Sequence, residues 1–116
     1  MIKSLLLTSL LLFGLTMTGQ SVVAAEVRMY VRHEVNDYAT WRKGYDAFNA
    51  ERKKMGVTGA AVYRSVDNPN DVTVTHAFKS ADAAKVFVAS ARLKEVMEKA
   101  GVKGAPQIWT TTRAVK

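Results

Sequence analysis

Apolar and polar side chains alternate from Val27 to Val35, and this alternation constrains the fold more than any other feature of the chain. Successive side chains of a β-strand point to opposite faces, so the pattern predicts a strand with one apolar and one polar face. The apolar face needs a covering layer. It carries Val27, Met29, Val31 and Val35, and the polar face carries Arg28, Tyr30, Arg32 and Glu34.

A helix is predicted directly after this strand, from Tyr38 to about Met55, with residues 36–37 available as its cap. Its side chains at spacings of three and four form one stripe, which we expect to pack in the core. The basic run 52–54 falls in the last turn, where cations suit the carbonyl end of the helix dipole, and needs no ligand. The stripe consists of Tyr38, Trp41, Tyr45, Phe48, Arg52 and Met55.

The rest of the chain continues the pattern of strands and helices. Strands are predicted over Gly59–Val66, Asp71–Phe78 and Pro106–Val115, and helical pieces over Ala81–Ala89 and Ser90–Ala100. The order β-α-β-β-α-β predicts an α+β ferredoxin-like fold, a four-stranded antiparallel sheet with the helices on one face.

The first 25 residues are predicted to be a signal peptide. A positive start is followed by an apolar stretch from Leu5 to Met17 and by small residues for cleavage at 23–25. The stretch is short for a membrane span, although an uncleaved anchor is the alternative. We therefore expect an exported domain of residues 26–116, periplasmic or secreted, with no stable membrane span after cleavage.

Composition narrows the chemistry. The chain has no cysteine, which excludes a disulfide scaffold, thiolate zinc sites and thiol catalysis. Two histidines without a nearby carboxylate pattern indicate no metal site, and no phosphate loop is present. The net charge of +7 favours anionic surfaces or ligands, but the third strand lacks the aromatic pattern of RNA-recognition modules, so we expect no nucleic-acid partner.

Motifs along residues 30–109 resemble the dimeric α/β-barrel superfamily, which includes antibiotic-biosynthesis monooxygenase-like domains. The closest similarity is to small single-domain members of unassigned activity. The motifs are Arg32-His33-Glu34-Val35, Asp37-Tyr38, Trp41, Gly56-Val57-Thr58-Gly59, Tyr63-Arg64, Asp67-Asn68-Pro69-Asn70, Ala89-Ser90, Leu93-Lys94, Met97, Ala100-Gly101-Val102 and Pro106-Gln107-Ile108-Trp109.

The resemblance implies a dimer whose two sheets form a barrel that binds small, often aromatic molecules. Some members oxidise their substrate without a cofactor, and others bind or degrade haem. For this chain we expect no cofactor. The haem-degrading branch combines a strand asparagine, a strand tryptophan and a histidine on the second helix, but here the predicted second helix, 81–100, has no histidine and the strand 27–35 has no asparagine. Haem binding through His33 or His76 is a minor alternative. A thin core in so short a domain independently favours a homodimer.

Six side chains on the predicted open face of the sheet are the candidate ligand-binding residues. Aromatic rings offer a flat apolar wall, and two arginines suit a carboxylate or phenolate. The same residue types are typical of protein interfaces, which is the alternative interpretation. The six are Tyr30, Arg32, Tyr63, Thr75, Trp109 and Arg113.

The two histidines, His33 and His76, are predicted to lie on the helix-covered face. They are candidates for proton transfer, although a histidine at such a position is more often a polar group at the edge of the core. The residue that would act as a general base is not evident.

Two functions therefore remain open. The first is a cofactor-independent monooxygenase-like enzyme that acts on an aromatic or quinol-like compound. The second is a non-catalytic ligand-binding or stress-related protein of the cell envelope that uses the same cavity.

Overall fold

The computed structural model describes residues 26–115, so the predicted signal peptide lies outside the described residues. Four strands and four helices follow one another in the predicted order. The strands are β1 (Val27–Val35), β2 (Val57–Arg64), β3 (Asp71–Phe78) and β4 (Val102–Thr112). The helices are α1 (Tyr38–Ala47), α2 (Asn49–Lys54), α3 (Ala81–Val88) and α4 (Ala91–Lys99).

The four strands form one antiparallel sheet in the order β2-β3-β1-β4, which confirms the predicted ferredoxin-like α+β fold. The register decides which side chains share a face. Tyr30 lies opposite Thr75 of β3 and Trp109 of β4, whereas Val31 lies opposite Val74 and Ile108. The first set points to the open face of the sheet, and the second points toward the helices.

The core lies between the sheet and the helices, in two clusters. One cluster consists of Val27, Met29, Val31, Val57, Phe78, Ala84 and Phe87. The other consists of Val35, Trp41, Val72, Val74 and Ala100. The alternation of β1 thus places its valines and Met29 under the helices, as the sequence predicts.

Polar side chains set the helix starts. The carboxylate of Asp37 accepts a hydrogen bond from the backbone N–H of Thr40, and Ser80 accepts one from Ala83. These caps satisfy N–H groups that have no partner within the helix.

The first predicted helix is divided, because Phe48 (φ −89°, ψ 1°) leaves helical geometry. Its N–H is shared between the carbonyl oxygens of Gly44 and Tyr45, both at 3.2 Å.

Two strands have bounds that differ from the predicted ones. β2 begins and ends two residues earlier, and β4 begins at Val102 rather than at Pro106. A register shift opposite Arg32 and Glu34 lets the first residues of β4 pair with the end of β1. Gly104 lies near this bulge with φ +65°, a conformation that glycine adopts without steric cost.

Candidate functional site

The open face of the sheet holds five of the six predicted ligand-binding residues, and the sixth, Arg113, follows β4 and is exposed. The ring of Tyr30 stacks on that of Trp109 with centroids 5.3 Å apart. Tyr63 and Trp109 keep 56% and 44% of their surface exposed, whereas Thr75 is buried. This face is therefore a partly apolar surface with large exposed aromatic rings.

Arg32 is already paired on this face. Its Nε and Nη2 donate to the two carboxylate oxygens of Asp71 at 3.0 and 2.7 Å. The hydrogen bond from Arg32 lowers the pKa of Asp71. A guanidinium that is held in a bidentate pair has lost its best geometry for a ligand oxyanion. The pairing argues against the oxyanion role that the sequence suggests for Arg32.

A second candidate site lies on the other side of the sheet, in a cavity of about 50 Å³ between the sheet and the helices. None of the six predicted residues lines it. Strands supply one wall, and α1 and its end supply two buried aromatic side chains. The apolar and aromatic lining consists of Met29, Val31, Val74, Ile108, Trp41, Phe48, Phe87, Val88, Leu93, Val96, Met97 and Ala100.

His76 is one of four polar side chains that line this cavity, with His33, Tyr45 and Arg52. Its Nε2 lies 3.1 Å from the hydroxyl of Tyr45, and its Nδ1 is buried without a hydrogen-bond partner. Burial, reinforced by the charge on Arg52, lowers the pKa of His76 from 6.5 to about 4. The imidazole is therefore neutral at physiological pH.

His33 lies further along β1, opposite Val72, and is also buried. Its ring meets the edge of Trp41 with centroids 5.6 Å apart. Burial lowers its pKa, and an interaction with its own backbone and the charge on Asp71 oppose that shift. Both histidines thus lie on the helix-covered face, where the alternation of β1 and β3 predicts them.

Arg52 is the cavity residue for which the sequence suggested no ligand role. Its position in the last turn of the helix explained its charge without a ligand, but the side chain is only 4% exposed and lines the cavity. A signal for this was present, because Arg52 belongs to the stripe and follows Phe48 by four residues.

The cavity is covered by α4, a helix without a single buried residue. It contributes Leu93, Val96 and Met97 to the lining. Its polar link to α2 is a bidentate pair in which Arg92 donates to both carboxylate oxygens of Glu51, at 3.0 and 3.1 Å. The helix ends before Gly101, whose φ of +86° favours glycine.

Among residues 26–115, no group of three or more histidine, cysteine or acidic side chains is placed to hold a metal ion. Within the same part of the chain, no helix is long and apolar enough to cross a membrane.

Solved structures of other proteins have a similar fold, but no similar protein was found by sequence. No family model and no curated protein matches the chain. Three solved structures illustrate the structural likeness. A Bordetella bronchiseptica protein that carries the name of an antibiotic biosynthesis monooxygenase superposes with a TM-score of 0.68 at 18% identity, over 78% of this chain and 99% of that one.

SnoaB of Streptomyces nogalater, a cofactor-independent oxygenase, superposes with a TM-score of 0.65 at 16% identity, over 80% of this chain and 97% of the other. The monooxygenase ActVA-Orf6 of Streptomyces coelicolor, solved with nanaomycin D, superposes with a TM-score of 0.57 at 20% identity, over 80% of this chain and 91% of the other. Identities this low establish the fold alone. The chain therefore has the ferredoxin-like α+β fold of antibiotic-biosynthesis-monooxygenase-like proteins.

Proposed function

We propose that this chain is a monooxygenase-like protein that binds a small aromatic molecule in the cavity between the sheet and the helices. The cavity carries the proposal, because its walls are apolar and aromatic while four polar side chains converge on it. A pocket with this division of lining is typical of small-molecule sites. The fold that the chain shares with SnoaB, a cofactor-independent oxygenase, and with the monooxygenase ActVA-Orf6 supports an oxygenase-like role by analogy.

Size sets a condition on binding. A cavity of about 50 Å³ is about a third of the roughly 150 Å³ that accommodates benzene in a protein interior. A ring can enter only if one wall moves outward. The covering helix α4 is the wall that we expect to move, since it has no buried residue.

The chemistry that we propose is the oxygenation of an activated CH₂ or phenolic carbon without a cofactor. The substrate loses a proton and supplies electrons to O₂; one oxygen atom forms the new carbonyl, and the other leaves as water. His76 and Tyr45 suit the proton transfer, because in the tautomer with its proton on Nε2 the neutral imidazole donates to the Tyr45 hydroxyl and can accept a proton at Nδ1. The apolar walls suit an intermediate that water would quench.

The open face of the sheet then has a different role, as the surface on which a second copy packs. Exposed Tyr63 and Trp109 are the residue types that interfaces favour. Burying them would also add to the thin core of a short domain. We propose a homodimer that closes into a barrel through these faces, exported after removal of residues 1–25.

Anthrone is a suitable first probe, since its CH₂ group becomes a carbonyl in one oxygenation. We expect wild-type protein to consume one O₂ per anthrone and to place labelled oxygen from ¹⁸O₂ in the product. Binding of anthrone without O₂ uptake would instead support the non-catalytic ligand-binding function. Absence of both binding and turnover, with naphthol also unbound, would contradict the cavity as a ligand site.

A further inference from the structure

Arg52 is a buried cation without an anionic partner. Its side chain is 4% exposed, and among residues 26–115 no carboxylate forms an ion pair with it. The arginines that do form ion pairs in this part of the chain keep 42% to 53% of their side-chain surface exposed. Since a buried charge is expensive unless it is paired, this arrangement needs an explanation.

The contacts that Arg52 does make use only part of its capacity. Nη1 donates to the carbonyl oxygen of Tyr45 at 2.6 Å, and Nη2 reaches Oδ1 of Asn49 at 3.5 Å. The guanidinium lies over the ring of Tyr45, with Cζ 3.6 Å from the centroid. Its Nε has no partner. Dipoles and a ring face hold the group in place, but none of them neutralises a full charge.

Another residue that lines the same cavity, His76, also has an unpartnered buried nitrogen. Nδ1 of His76 is buried without a partner, and the ring is 4% exposed. In the neutral tautomer that carries its proton on Nδ1, Nε2 accepts from the Tyr45 hydroxyl and Nδ1 is a donor; in the other tautomer, which suits the proton transfer proposed above, Nε2–H donates to Tyr45 and Nδ1 is the acceptor. In the first tautomer, Arg52 and His76 present two unused donors in one apolar cavity, which is the arrangement that an oxygen with negative charge requires.

We propose that the cavity takes an aromatic ligand bearing an anionic oxygen, a carboxylate or an ionised phenol, and that Arg52 pairs with this oxygen. The inference rests on the proposed function, because it concerns the same cavity. It specifies that the ligand is negatively charged and that Arg52 is the residue that binds the charge. The apolar walls accept the ring, and the buried cation selects the acid over its neutral analogue.

Benzoate and benzamide are the matched probes, since they share shape and differ in charge. We expect benzoate to bind wild-type protein about 10- to 100-fold more tightly, the range for a charge-assisted hydrogen bond. Nitrophenol, measured below and above the pH at which it ionises, distinguishes a phenolate ligand from a carboxylate ligand. Tighter binding of the ionised form indicates a phenolate site. Binding of benzoate but not of ionised nitrophenol indicates a carboxylate site.

Three variants locate the effect. Arg52→Gln should reduce the preference for benzoate to less than 3-fold, and Arg52→Lys should keep part of it. Lys53→Gln removes the same charge at an exposed neighbouring position and should leave the preference unchanged. Thermal unfolding of each variant shows whether it is folded.

A readout on wild-type protein covers the case in which Arg52→Gln does not fold. The titratable groups around His76 are Tyr45, Arg52 and His33. A bound anion should raise the pKa of His76 above its value of about 4, as seen by NMR titration, whereas benzamide should not.

The outcomes separate the two proposals. Equal binding of benzoate and benzamide, with no change in the His76 titration, would overturn the anionic ligand and leave the cavity as a ligand site. Failure of every aromatic probe to bind would overturn both.

Discussion

The hydroxyl of Tyr45 lies 3.1 Å from Nε2 of His76 and so connects α1 to β3 across the layer between helices and sheet. Their rings are nearly parallel, at 3° and with centroids 6.1 Å apart. Because His76 is buried beside the positive charge of Arg52, protonation of its imidazole is unfavourable in the folded protein. The free energy of unfolding should therefore decrease as the pH falls and His76 is protonated in the unfolded state.

The folded-state pKa of His76 is about 4 and the unfolded value is 6.5, so the unfolded state binds the proton first. Stability should be complete above about pH 7 and fall as the pH drops through this window, by about 2 kcal/mol between about pH 7 and about pH 5. Urea unfolding at the two pH values measures this loss.

The control for this prediction is His76→Gln, which lacks the titrating group. Its loss of stability over the same interval should be smaller by about 2 kcal/mol, and what remains reports the other groups, His33 among them. An identical pH dependence in the variant and the wild type would contradict a neutral buried His76.

The two faces of the sheet can be distinguished by ligand binding. Arg32→Ala and Trp109→Ala change the open face and should alter naphthol affinity less than 3-fold. Val96→Phe fills the cavity from α4 and should weaken binding at least 10-fold, because the larger ring occupies the ligand's space. Fluorescence titration gives the affinities. The reverse ranking would return the site to the open face.

Movement of α4 can be tested because the chain has no cysteine of its own. In the double variant Glu51→Cys/Arg92→Cys, a short bifunctional thiol reagent ties α4 to α2 where the ion pair stands. Cross-linking should slow naphthol association at least 10-fold in stopped-flow measurements, since the cavity is too small for a ring until α4 moves.

The matched control is Arg42→Cys/Asp46→Cys, which places the same reagent within α1. It should leave the association rate unchanged. Equally fast association in both cross-linked proteins would show that the ligand enters by another route.

The dimer is tested by placing a charge on the open face. Tyr63→Glu should raise the dimer dissociation constant at least 10-fold, because a carboxylate would be buried against the partner's sheet. Val86→Glu alters an apolar residue on α3 that is more exposed than Tyr63, at 69% against 56%, and should leave the dissociation constant unchanged. Sedimentation at micromolar concentration measures both, and a wild-type monomer there would contradict the proposed barrel.

Local chemistry explains how much of the fold can be predicted from the sequence. The bounds of β3 coincide with the alternating run Asp71–Phe78, and Asp37 and Ser80 cap the helices that follow them. The start of β4 at Val102 was not predictable in this way. It depends on a bulge opposite β1, which is a relation between strands distant in sequence.

The site depends on such relations even more. The sequence suggests Arg32 as a ligand contact, but Asp71, its diagonal neighbour on the adjacent strand β3, forms an ion pair with it. Arg52 was predicted to pack in the core as part of the stripe, but the helix dipole explained its charge, so no ligand role was expected for it.

The sequence by itself determined the order of strands and helices and the two faces of β1 and β3, because periodicity and caps act within a few residues along the chain. Only the tertiary structure decided that Arg52 of α2 lies in the core and that Tyr45 contacts His76. It also decided that α4 covers the cavity that these side chains line. These features depend on how helices pack on a sheet, and packing joins residues that no local pattern relates.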